Sequence, residues 1–143
     1  MGLFLIPSQQ VSAKPIPLNT CPSLAPLARK AGLPKVFLTI AYRESRCTEK
    51  AVGWNYKHGH SAKDCKSVPF KTYQNTCSKY LSSFDSGYWQ INSSWSTVTK
   101  QICGKYPREG ALLDGWCNAR VAKYLYEHGG MGHWHTSSGL SHG

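Results

Sequence analysis

The cysteines constrain the fold of this chain more than any other feature of its sequence. There are six of them in a small basic chain, and no two form a C-x-x-C pair. An even number with this spacing favours a disulfide framework over a zinc site. The sequential pairing is the one we favour, Cys21 with Cys47, Cys65 with Cys77 and Cys103 with Cys117, although the sequence leaves other connectivities open. Disulfides predict an extracellular or otherwise oxidising place of action.

The length of 143 residues suits one domain with one core. We divide the chain into a Pro-punctuated arm at 1–18, a domain at 19–135 and a Gly-, Ser- and His-rich tail at 136–143. No stretch approaches the roughly 20 apolar residues of a membrane span, and the start does not resemble a signal peptide. We therefore expect a monomeric mature or excised domain, secreted or phage-associated, with no membrane span.

Helical periodicity is clearest in the segment that follows Pro34. Phe37, Ile40, Ala41 and Glu44 recur at i, i+3, i+4 and i+7, which predicts a helix that places Glu44 on its buried stripe. A helix-end glutamate paired with a neighbouring arginine is one interpretation. The other is a functional acid, because burial disfavours the charged form of a carboxyl group and suits it to donate a proton.

A second helix is predicted late in the chain. It begins after Asp114, a good N-cap, and ends at Gly129-Gly130. A shorter helix is predicted over 22–29, ended by Gly32, and the stretch 48–84 predicts an irregular or short-stranded region. These patterns together predict an α+β fold that is mainly α and disulfide-stabilised.

The segment 84–92 carries a second carboxylate, Asp85, before a Gly turn and a run of aromatic and amide side chains. Cleaving a glycosidic bond requires a proton donor and either a second carboxylate or assistance from the substrate. Rings such as Tyr88 and Trp95 suit stacking on sugars, and amides such as Gln90 and Asn92 suit their polar substituents. The alternative for Asp85 is a turn residue that accepts backbone N–H bonds.

Tyr42-Arg-Glu-Ser-Arg46, followed by Asp85-Ser-Gly-Tyr-Trp-Gln-Ile-Asn92 and then Trp95, resembles the lysozyme-like superfamily of c-type and goose-type lysozymes and soluble lytic transglycosylases. The resemblance implies a two-lobed fold with a central cleft. It makes Glu44 the general acid, Ser45 its helix-end support and Asp85 the second carboxylate of c-type enzymes.

The same resemblance implies that Gln90 and Asn92 border the central sugar subsites. Asn118 and the run 122–126 resemble the late N-x-x-A-x-x-x-Y helix of the family, which directs Tyr126 to the cleft. The sequence departs from the family pattern in two ways. The stretch between Glu44 and Asp85 is long, and Ser86 stands where the family usually has Tyr.

The activity implied by the resemblance is cleavage of the β-1,4 bond between N-acetylmuramic acid and N-acetylglucosamine in peptidoglycan. Two alternatives stay open: a lytic transglycosylase that uses Glu44 alone as acid and base, and a non-catalytic glycan-binding relative. A third class of function is a membrane-active protein that acts through its positive charge alone.

The formal net charge of +10 favours anionic cell-wall polymers as partners. The lysines are scattered singly, which argues against nucleic acid. The His58-Gly-His60 and His133-Trp-His135 segments offer two ligands each, so we predict no metal and no cofactor.

Overall fold

The protein has an α+β fold that is mainly helical, as the sequence predicts. The computed structural model describes residues 19–65 and 78–134, so the predicted arm, the predicted tail and the Cys65–Cys77 bond lie outside the described residues. The helices are α1 (Ala25–Ala31), α2 (Val36–Ser45), α3 (Ala62–Cys65), α4 (Ser96–Cys103) and α5 (Gly115–Gly129). The strands are β1 (Val52–Tyr56), β2 (Leu81–Ser86) and β3 (Ile91–Asn92). None of the helices described is long and apolar enough to cross a membrane.

Helix α2 follows the predicted periodicity. Phe37, Ile40 and Ala41 are fully buried, and Glu44 lies half-buried one turn further along the same stripe. The helix ends at Arg46, whose φ of 53° is left-handed and whose N–H is bonded to the Tyr42 carbonyl oxygen at 2.9 Å. This left-handed residue ends the helix two positions after the acidic residue.

Two of the three predicted disulfides lie within the described residues, and both are formed. Cys21–Cys47 joins the start of the described chain to the end of α2, and Cys103–Cys117 joins the end of α4 to the first turn of α5. Closing loops of these lengths stabilises the fold by about 3 kcal/mol each in the chain-entropy treatment. They are consistent with a protein that works in an oxidising compartment.

The three strands form one antiparallel sheet in the order β1-β2-β3. Its register pairs Asn55 with Ser83 and Asp85 with Asn92, so Asp85 lies on the central strand with polar residues on both neighbours. The sheet has a small apolar cluster around Leu81 and Phe84, separate from the larger core that the helices share.

Asn118 joins the 87–90 turn to helix α5 and is fully buried. Its Oδ1 accepts a hydrogen bond from the Trp89 backbone N–H at 3.0 Å, and its Nδ2 donates to the carbonyl oxygens of Ser86 at 2.7 Å and Leu112 at 2.9 Å. Gly87 has a φ of +83°, and a Cβ there would overlap the Asn118 amide. The turn is therefore held in one conformation by the interior of the helical part.

Glu49 carries a further link between the α2–β1 connection and the N-terminus of α5. Its Oε2 accepts a hydrogen bond from the Gly115 backbone N–H at 2.8 Å, where the helix dipole favours a negative charge.

We expect Glu49→Gln to lower the free energy of unfolding by about 1 kcal/mol in chemical denaturation, since the charge is lost and an acceptor is kept. Glu127→Gln, the same change at the exposed C-terminal end of this helix, should alter it by less than about 0.5 kcal/mol. Equal losses in both variants would contradict the assignment.

Candidate active site

A pocket of about 120 Å³ lies where α2, the sheet, α5 and the last described turn meet. Its lining residues are Glu44, Asp85, Gln90, Ile91, Asn92, Trp95, Leu125, His133 and Trp134. Five of the residues predicted from sequence are thus brought to one place: the two carboxylates, both amides of the turn and Trp95.

A larger groove of about 520 Å³ runs past the Ser-rich part of β2 and the turn at Tyr106. Its described lining consists of serines with a few apolar side chains, Tyr106 and Arg108, and it contains neither a carboxylate nor a histidine. Volume alone would favour the groove. Acid–base chemistry favours the smaller pocket, because the pocket holds both predicted acids.

The carboxylate of Asp85 is held by side chains from both neighbouring strands. Asn55 Nδ2 donates to Asp85 Oδ2 and Asn92 Nδ2 donates to Asp85 Oδ1, each at 2.9 Å. Both amides also donate to Ser83 Oγ, at 2.9 and 3.0 Å. Since both carboxylate oxygens act as acceptors, the arrangement suits an ionised group of fixed orientation. The reading of Asp85 as a turn residue that accepts backbone N–H bonds is wrong, since it is a strand residue bound by side-chain amides.

Glu44 occupies different surroundings on the helical wall of the same pocket. It lies half-buried in the last turn of α2, and the buried side chains of Leu125 and Trp134 belong to the same lining. Next to it, Ser45 Oγ donates to the Ala41 carbonyl oxygen at 3.0 Å and accepts from the Thr48 N–H at 3.3 Å. Ser45 thus fixes the helix end and does not line the pocket. The pocket therefore holds one carboxyl group at a helix end and one carboxylate that is bound by amides of the sheet.

The amide of Gln90 is engaged by the backbone. Its Nε2 donates to the carbonyl oxygens of Ala51 at 3.1 Å and Gly87 at 3.0 Å, and its own φ is left-handed at 47°. Asn92 is engaged as well, because its Oδ1 accepts the Ser94 N–H at 2.9 Å while its Nδ2 donates to Asp85. Both amides therefore shape the pocket and orient the carboxylate.

Besides Ser45, which was also predicted to bind substrate, two more of the predicted substrate-binding residues lie outside the pocket lining. Tyr88 is half-buried beside Glu49 and the start of α5, and this burial, followed by the nearby Glu49 charge, raises the pKa of its hydroxyl. Tyr126 packs edge-on against Phe37 with ring centroids 5.5 Å apart. Neither side chain lines the pocket.

Sequence reasoning missed four residues of the site: Asn55, Ser83, His133 and Trp134 as a wall residue. Ser83 could have been found, because it lies two residues before Asp85 and shares its face of a strand. Trp134 is anchored by its Nε1, which donates to the Trp89 carbonyl oxygen at 3.0 Å. In turn, Trp89 Nε1 donates to the Phe37 carbonyl oxygen at 2.9 Å.

No protein-family model, curated protein or solved structure matches this chain. Within residues 19–65 and 78–134, no three His, Cys, Asp or Glu side chains are grouped so as to hold a metal ion.

Proposed function

We propose that this protein is a lysozyme-like peptidoglycan glycosidase that cleaves the β-1,4 bond between N-acetylmuramic acid and N-acetylglucosamine. The observation that carries the proposal is that Glu44 and Asp85, far apart in the chain, line one pocket. A pair of carboxyl groups that flank the scissile bond is the usual equipment of glycosidases, and lysozyme is the known example of two carboxyl groups with different roles.

In the proposed reaction Glu44 is the proton donor. It transfers its proton to the glycosidic oxygen as the bond to the anomeric carbon breaks. The electron pair of the breaking bond stays with the leaving oxygen, which leaves positive charge on the sugar. The carboxylate of Asp85, oriented by hydrogen bonds from Asn55 and Asn92, stabilises that charge. Glu44, now a carboxylate, then takes a proton from the attacking water.

The surroundings of the acids also suit a glycan. Trp95 is a half-buried indole in the lining, and flat sugar faces stack well on aromatic rings. The net charge of +10 would hold the protein near anionic cell-wall polymers. The separate apolar clusters of the sheet and the helices support a two-lobed arrangement in which the pocket would be part of a central cleft.

The decisive experiment is to incubate the protein with purified peptidoglycan and analyse the released fragments by mass spectrometry. We expect new reducing N-acetylmuramic acid ends. Ends that are 1,6-anhydro sugars would instead identify a lytic transglycosylase, in which the substrate's own 6-hydroxyl replaces water. Retention on peptidoglycan with no new ends of either kind would identify a non-catalytic glycan binder and overturn the proposal.

Asp85→Asn separates a two-carboxylate mechanism from one that uses Glu44 alone. We expect it to lower the rate of fragment release by about 10²- to 10³-fold, because a preorganised charge opposite the developing cation is lost. Asp64→Asn makes the same change at an exposed residue of α3 and should leave the rate unchanged. A wild-type rate for Asp85→Asn would assign the chemistry to Glu44.

A further inference from the structure

His133 lies at the rim of the pocket, held between two tryptophans. Its ring is edge-on to Trp95, with centroids 5.3 Å apart and an interplanar angle of 77°, and to Trp134 at 5.4 Å and 63°. The side chain is exposed, and its ring nitrogens make no hydrogen bond or ion pair with any residue that the structure describes. The two indoles therefore fix the ring in position and leave its polar atoms open to a ligand.

Most of the other polar groups of the lining already form hydrogen bonds within the protein. Asn92 uses both ends of its amide, Gln90 uses its Nε2 and both oxygens of Asp85 accept hydrogen bonds. The indole N–H of Trp134 is bonded to the Trp89 backbone. His133 thus offers both a donor and an acceptor to a neutral ligand. Partial desolvation of the ring between the two indoles lowers the pKa of its imidazole, which favours the uncharged ring with one N–H and one lone pair at neutral pH.

We propose that His133 is a specificity-determining residue that hydrogen-bonds the acetamido group of a 2-acetamido sugar bound against Trp95. The inference rests on the proposed function, since it assumes that the pocket takes a glycan. An acetamido group offers one N–H and one carbonyl oxygen, either of which matches a free nitrogen of the ring. Rejection of sugars without this group follows, because a site built to hydrogen-bond a substituent binds poorly to analogues that lack it.

The test measures binding by titration calorimetry in a Glu44→Gln background, which prevents turnover. The ligands are tri-N-acetylchitotriose and cellotriose, which share a β-1,4 backbone and differ at the acetamido position. We expect His133→Ala to weaken binding of the acetylated trimer about tenfold, as for the loss of one hydrogen bond, and to leave cellotriose affinity unchanged. His133→Gln should restore affinity to within about threefold, because an amide also carries a donor and an acceptor.

His128→Ala is the matched control, since His128 is an exposed histidine near the end of α5 that stacks on Tyr124 and does not line the pocket. It should bind both trimers like the background protein. Undiminished binding of the acetylated trimer by His133→Ala, or an equal loss for both trimers, would overturn the role of His133. A background protein that binds neither peptidoglycan nor the trimers would overturn the proposed function itself, which separates the two failures.

Discussion

Glu44→Gln should lower the rate at which the protein cleaves purified peptidoglycan by about 10²- to 10⁴-fold, the contribution of a positioned general acid. The substitution keeps the size of the side chain and its place in the last turn of α2, and it removes the transferable proton. The rate is measured from new fragment ends, together with the fall in turbidity of a cell-wall suspension. Binding to the same walls should persist, because the rings and the basic surface are unchanged.

Glu127→Gln is the matched control for this experiment. It removes one carboxylate from an exposed position on α5, outside the pocket lining, and should cleave like the wild type. Equal cleavage by Glu44→Gln and the wild type would contradict the role of Glu44. If killing of bacteria also survived Glu44→Gln and collapsed at high salt, charge alone would explain it, since exposed charges are screened within about 10 Å at 0.1 M.

Asn118→Asp should lower the free energy of unfolding by about 4 kcal/mol. The new side chain can still accept the Trp89 N–H, but the carbonyl oxygens of Ser86 and Leu112 lose their donor and face a buried carboxyl oxygen. Each orphaned buried group costs about 1 to 3 kcal/mol, and burying a charge adds to this. The loss is measured by chemical denaturation with the disulfides intact.

Asn19→Asp makes the same substitution at an exposed position and should leave stability within about 0.5 kcal/mol of the wild type. A small loss in Asn118→Asp, comparable with the control, would show that the 87–90 turn does not depend on this amide. Because the turn connects Asp85 to Asn92, which donates a hydrogen bond to its carboxylate, we expect cleavage by Asn118→Asp to fall at temperatures where the protein is still folded.

Helices α1, α2 and α5 were predictable because the signals that specify them are local, whereas α3 lies in the stretch that the sequence predicts to be irregular or short-stranded. Apolar residues at helical spacing defined α2 and the face that carries Glu44, and Asp114 marked the start of α5, where its Oδ2 accepts the Cys117 N–H at 2.9 Å. The described cysteine pairs follow the sequential order that we favoured among the open connectivities. The motif around Asp85 likewise identified a segment that lines the pocket.

The surroundings of the acids were not predictable in the same way. Asn55 reaches Asp85 only because β1 pairs with β2 in one register, and a shift by one residue would turn Asn55 to the opposite face. Tyr88 and Tyr126 were predicted to bind substrate from their place in a motif. The direction of each side chain depends on packing, and both rings pack against the core outside the pocket.

The sequence by itself determined helices α1, α2 and α5 and the identity of the two candidate acids, and it favoured the two described disulfides, because each is specified by short-range periodicity, spacing or residue chemistry. Only the tertiary structure decided that Asp85 is held by Asn55, Ser83 and Asn92, that Trp134 and His133 complete the pocket, and that Tyr88 and Tyr126 stay out of it. These features depend on strand register and on the packing of segments distant in the chain, and neither is encoded in any local pattern of residues.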